Sequence, residues 1–218
     1  EHTSENRLQA CVIAENKALK NALVNFSQRQ FQFTNQSYCR DSDENSYCSY
    51  IKEIDASTSG TIRSVVDRIK RRKDNTCFIE VKAEIEPAVQ LPVEVKSQQI
   101  YIEGDQIEVD IDTRQPLYLY MFNLHKDGIE VLFPRKYRED TLIDDRFVYP
   151  GENYQVIATT GGLQESEETL VFLFTKQRQN IDIKFIETGG NQPLKELLGS
   201  IPVNEKRLIV KNVIIRSK

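Results

Sequence analysis

The chain has 218 residues, 39% hydrophobic and 28% charged, which is enough apolar content for a packed core and too much for a disordered chain. A formal net charge of −4 provides no global field to recruit nucleic acid or an anionic membrane, and no apolar run approaches the roughly 18 residues of a membrane helix. The polar start EHTSENRLQA lacks Met and reads as a processed or trimmed product whose signal peptide has been removed.

Residues 5 to 29 carry Leu8, Cys11, Val12, Leu19, Ala22, Leu23 and Phe26 at three- and four-residue steps, the spacing of an amphipathic helix. Thr3 or Ser4 can cap its start, and Glu5 suits the first turn. QFQFTNQSY then runs into CRDSDENSYC (39–48), and SYIKEIDASTSG reads as a strand ending at Gly60. In TIRSVVDRIKRRKDN two readings stand. Ile62, Val65, Val66 and Ile69 have helical spacing, whereas the β-branched content and the KDN turn suit a hairpin strand. CFIEVKAEIEP is a strand with Cys77, Ile79, Val81, Ala83 and Ile85 on its buried face and Glu80, Lys82 and Glu84 opposite.

Pro87 and Pro92 flank AVQL, a linker that divides the chain into domains 1–88 and 89–218. Beyond it QIYIEGDQIEVDID, PLYLYMFNL, GIEVLFP, NYQVIATTG, ETLVFLFTK, NIDIKFIE and RLIVKNVIIRS form a series of short strands separated by turn signals, the pattern of an all-β sandwich. Gly128 supplies the positive φ of a hairpin turn at KDG, and PLKELLG is a short helix ended by Gly199.

The cysteines are Cys11, Cys39, Cys48 and Cys77, an even set that allows three disulfide pairings. The nearest two lie nine positions apart with no nearby histidine, which argues against zinc. Asp41, Asp43 and Asn45 suggest a calcium loop, but the positions that should hold Gly and a bidentate Glu are Ser46 and Lys52. A disulfide-closed polar loop, Cys39–Cys48, fits better, and its closure removes roughly 2.5–3 kcal/mol of unfolded-chain freedom. Cys11 on the helix stripe and Cys77 on the strand face are then within reach of each other. Such bonds persist in the periplasm or outside the cell.

Two resemblances cover most of the chain. YIEGDQIEVDI, PLYLYMFNLHKDGIEVLFP, EDTLIDD and a Pro-Gly before a closing strand, within residues 99 to 175, resemble a bacterial envelope domain of unknown function with the signature GD…YLYxFN…DG…LFP. ACVIAENKALKNAL followed by a meander ending in CFIEVKAEIE resembles the α/β domain of small outer-membrane lipoproteins and of the flagellar H/T-ring assembly protein. The second resemblance favours a strand for residues 61 to 71. The lipid-acceptor cysteine of those lipoproteins has no counterpart at the start of this chain. Both resemblances imply secreted or surface-facing scaffolds or adaptors and bring no catalytic motif.

Tyr118, Tyr120 and Phe122 share one strand face, with Leu117, Leu119 and Met121 on the other. A strand apolar on both sides is central in a sandwich; the competing reading makes the Tyr/Phe face a partner patch. The basic run containing Arg68, Lys70 and Arg72 is a solvated hairpin or a surface for an anionic partner. His125 reads as a turn residue, and the sequons at Asn25 and Asn35 read as unmodified in a bacterial chain.

The expected fold is α+β: an N-terminal helix packed on a small antiparallel sheet, then an immunoglobulin-like β-sandwich. The expected function is a non-enzymatic periplasmic or cell-surface component of a secretion, flagellar or export assembly. It would bind envelope protein partners, with outer-membrane or peptidoglycan association and oligomers compatible, and would use no nucleic acid, cofactor, metal or catalytic residue. A carbohydrate- or peptidoglycan-binding module and an envelope hydrolase are the alternatives.

Overall fold

A computed structural model describes residues 3–30, 60–73, 76–88, 91–125, 128–135, 140–151, 154–189 and 191–218. It is a mixed α+β chain, mostly sheet, that divides into two compact units, Glu1–Val89 and Gln90–Lys218. The expected Cys39–Cys48 bond, the Asn35 sequon and the strand leading to Gly60 lie outside the described residues.

In the first unit, helix α1 (Thr3–Gln30) packs mainly along β2 (Thr76–Pro87), which pairs antiparallel with β1 (Gly60–Lys73). The ambiguous segment at 61–71 is therefore a strand. Its β-branched residues find cross-strand partners, with Val65 opposite Ala83 and Ile62 opposite Ile85. Register shifts between Ile62 and Ser64 and between Val65 and Asp67 break the simple alternation of β1. β2 keeps strict alternation: Cys77, Ile79, Val81, Ala83 and Ile85 are half-buried and the residues between them exposed. Cys77 is thus less enclosed than its sequence pattern predicted. Val12, assigned to the apolar stripe of the helix, is exposed.

Cys11 joins Cys77 in a disulfide, S–S 2.08 Å, near the start of β2. Phe26 lies against Gly60, which stands opposite Pro87 at the far end of β2, so α1 and β2 run in the same direction. A Cβ at Gly60 would stand 2.7 Å from Glu86 O and 3.2 Å from the Phe26 ring. Gly60→Ala is expected to cost the first unit about 1–3 kcal/mol, read by urea denaturation of the purified chain.

In the second unit, two sheets face each other across one apolar cluster. The larger has the order β4 (Ile100–Ile102), β11 (Lys206–Arg216), β10 (Glu165–Thr175), β6 (Leu117–His125), β7 (Gly128–Phe133), with β8 (Leu142–Ile143) also on β6. The smaller has the order β3 (Val93–Ser97), β5 (Val109–Thr113), β9 (Arg146–Tyr149). Leu119, Met121, Phe172, Phe174, Val213 and Ile215 from the first sheet meet Val93, Val95, Ile111 and Phe147 from the second. Leu91, expected in the linker, belongs to this cluster, and β3 follows directly after Pro92.

The outer face of the larger sheet is apolar as well, and helices cover it. Helix α2 (Ile183–Thr188) contributes buried Ile186, and helix α3 (Asn191–Ser200) contributes Leu194 and Leu198. The sequence pattern of NIDIKFIE predicted a strand here. Asp182 decides otherwise: its carboxylate accepts the Phe185 N–H at 3.0 Å and caps a helical turn, overriding the two-residue alternation. NYQVIATTG likewise forms one isolated bridge, Gln106 to Ile157, in place of the expected strand. α3 continues through Gly199 to Ser200 instead of stopping at the glycine.

Candidate functional site

The exposed face of the β1–β2 hairpin has the composition of a contact surface. Alternation along β2 turns Glu80, Lys82, Glu84 and Glu86 away from α1, and it turns Phe78 the same way. Phe78 is 56% exposed, and Val66 and Ile69 of β1 are 61% and 41% exposed. Ser64 donates to Glu84 across the two strands at 3.1 Å, and Arg71 stands opposite Phe78. Apolar area framed by charges of both signs suits a protein partner more than a single-sign polymer. The sequence signal was available: Phe78 is the one apolar residue in an otherwise charged alternation running to Glu86.

The basic residues predicted for a partner surface are divided by this hairpin. Arg68 stands opposite Val81 on the helix side, where its guanidinium pairs with Glu15 of α1, about half exposed. Lys70 stands opposite Ile79 and is exposed, and Arg72 stands opposite Cys77. Arg71 takes the other face. Strand geometry and the two bulges disperse what the linear sequence presents as one run.

The aromatic patch requires a correction. Phe122 is fully buried and Tyr120 is 1% exposed, while Tyr118 is half-buried. β6 lies between β10 and β7, and the helical layer covers its outer side. Tyr120 is anchored in that layer: its hydroxyl accepts the Gln179 N–H at 2.6 Å and donates to Gln179 O at 3.2 Å. These rings are core. They offer no stacking platform for a sugar, which removes the feature on which the carbohydrate-binding alternative rested.

Several polar residues of the second unit serve the fold. Gly104 has φ of +94°, and Asp105 after it accepts the Ile102 N–H at 2.8 Å. That N–H sits on the outer edge of β4, so the carboxylate occupies a donor that a further strand would use. Glu187 of α2 does the same at the opposite edge, accepting the Val131 N–H of β7 at 3.1 Å. Both edges of the larger sheet are thus blocked by carboxylates. Replacing both with alanine is expected to cause concentration-dependent self-association, read by light scattering; a chain that stays monodisperse at every concentration contradicts the blocking role.

A polar group spans β10, β6 and β7. Asn123 donates to Glu168 at 2.7 Å, while its buried Oδ1 has no protein partner. Glu130, opposite Asn123 in register, pairs with Arg135, whose Nε donates to Val131 O at 2.9 Å. Burial pushes the Tyr149 hydroxyl up to about 12. On the solvent face of the smaller sheet, Arg146 grips both oxygens of Asp110 at 2.9 Å, holding that carboxyl below its ordinary value. Among the described residues, no three His, Cys, Asp or Glu side chains come together as a metal site.

Sequence reasoning also missed Lys206. It is 3% exposed, and its ammonium donates to Leu198 O in the last turn of α3 and, at 2.9 Å, to Ile201 O just beyond it. Burial lowers its pKa from 10.5 to about 8. No protein-family model, no curated protein and no solved structure matches the chain.

Proposed function

We propose that the chain is a non-enzymatic binding or structural component of a bacterial envelope assembly, periplasmic or on the cell surface, of the secretion, flagellar or export type. The observation that carries this reading is the Cys11–Cys77 bond, a structural link of the kind that persists in oxidising compartments and is rare in reducing ones. The exposed Val66, Ile69 and Phe78 supply the contact surface such a component needs. No helix among the described residues is long and apolar enough to cross a membrane.

The resemblances support the same reading. ACVIAENKALKNAL of α1 and CFIEVKAEIE of β2 are the parts that resemble the lipoprotein and flagellar-ring domain. The two facing sheets of the second unit are read as an immunoglobulin-like β-sandwich carrying an added helical layer. In that unit the GD and YLYxFN residues serve as a turn, an edge block and core, which suits a scaffold.

The test places a photo-crosslinking residue at Phe78, and separately at exposed Val148 of β9, in the full chain expressed in a bacterial envelope. A discrete adduct with an envelope protein is expected from position 78 and none from 148. Equal labelling at both positions, or a turnover assay in which one polar substitution abolishes activity, overturns the reading.

A further inference from the structure

The two units are held together internally in different ways. The second has a continuous core of fully buried side chains such as Val109, Leu117, Phe172 and Phe174. Among the described residues of the first, Cys11 is the only buried apolar side chain. Ala14, Ala18, Leu19, Ala22, Leu23 and Phe26 of α1 are half-buried, as is the β2 face from Ile79 to Ile85. Exposed Val12 and Ile13 add β-branched residues to the helix without packing in return. The ion pair of Glu15 on α1 with Arg68 on β1 is partly exposed and contributes little. The disulfide joins residues 66 apart in sequence, so it restricts a long stretch of unfolded chain.

We propose that the Cys11–Cys77 bond is a redox-operated hold on the first unit: a dithiol reductant that opens it releases α1 from β2 and uncovers the Ile79–Ile85 face, while the second unit stays folded. Cys77 is the reachable end, being half-buried as the second residue of β2, whereas Cys11 is enclosed. A thiolate of the dithiol attacks the Cys77 sulfur, the S–S bond breaks, and Cys11 leaves as a thiolate that takes a proton. The second thiol of the reductant then attacks the mixed disulfide, freeing the Cys77 thiol and forming the reductant's own disulfide. Two electrons and two protons pass to the protein. This device is independent of which partner the hairpin contacts.

The test is hydrogen exchange on the full chain with and without dithiothreitol, with alkylation confirming the state of both cysteines. After reduction the α1 and β2 amides are expected to exchange roughly a thousandfold faster, and those of Gln90–Lys218 at an unchanged rate. The Cys11→Ser/Cys77→Ser chain, which keeps Cys39 and Cys48, should show fast α1 and β2 exchange without reductant and no further change in those amides with it. Slow exchange of α1 and β2 in the fully reduced chain, equal opening of both units, or a bond that resists excess dithiol would overturn the proposal.

Discussion

The stability of the second unit is expected to rise as pH increases from about 8 to about 10, and Lys206→Met is expected to remove that rise. Lys206 is buried, and among the described residues its ammonium donates to the carbonyls of Leu198 and Ile201. Those acceptors favour the charged form and burial opposes it, and burial prevails, leaving a pKa near 8 against 10.5 for the free side chain. Between those values the unfolded chain holds a proton that the folded chain has released. Folding therefore gains as pH rises through this window, by roughly 2 kcal/mol between pH 8 and 10. As pH falls through 8 that gain is lost. Tyr149 acts above this range in the opposite sense: its hydroxyl is held near 12, so stability falls once unfolded tyrosine begins to ionise near 10. Urea denaturation at several pH values, comparing the wild-type chain with the methionine variant, measures the difference. Parallel curves for the two proteins would show that Lys206 does not titrate in this window.

Phe122→Ala is expected to destabilise the second unit by about 3–5 kcal/mol, the cost of a large cavity in a filled core. Phe122 is fully buried on the β6 face turned towards the helical layer, where Ile186, Leu194 and Leu198 are also buried. Phe78→Ala is the matched control on the exposed hairpin, expected to change stability by less than about 0.5 kcal/mol. The pair separates core from contact surface. If Phe122 belonged to a partner patch, its truncation would spare folding and weaken association, and Phe78 would do neither. Denaturation midpoints of the two variants decide it.

Long alternating or strongly periodic segments were legible as elements. The helix from residue 5, the strand from Cys77, and the strands now seen as β6, β7, β10 and β11 are all present, although Val12 of the helix stripe is exposed. The pairing of Cys11 with Cys77 followed from placing one cysteine on a helix stripe and the other on a strand face. Local polar chemistry was harder to read. Asp182 caps a helix in a segment whose apolar residues alternate like a strand, and Pro92 concealed the strand that begins at the next residue. The first error had a consequence for the site. Without α2 the layer covering Tyr120 and Phe122 is missing, and those rings look available to a partner. Lys206 and Glu187 could not be singled out among many charged residues, because their importance comes from burial and from the strand edge they meet. Phe78 was missed, although an aromatic at a position where its neighbours on the same face are charged was a signal that could have found it.

The envelope assignment rests on one covalent link. The direct measurement is the redox state of Cys11 and Cys77 in protein recovered from its native cells, trapped by alkylation at the moment of lysis and mapped by mass spectrometry. The expected result is a peptide pair joined through Cys11 and Cys77, recovered from the periplasmic or surface fraction. Both cysteines alkylated as free thiols, in protein recovered from the cytoplasm, would contradict it.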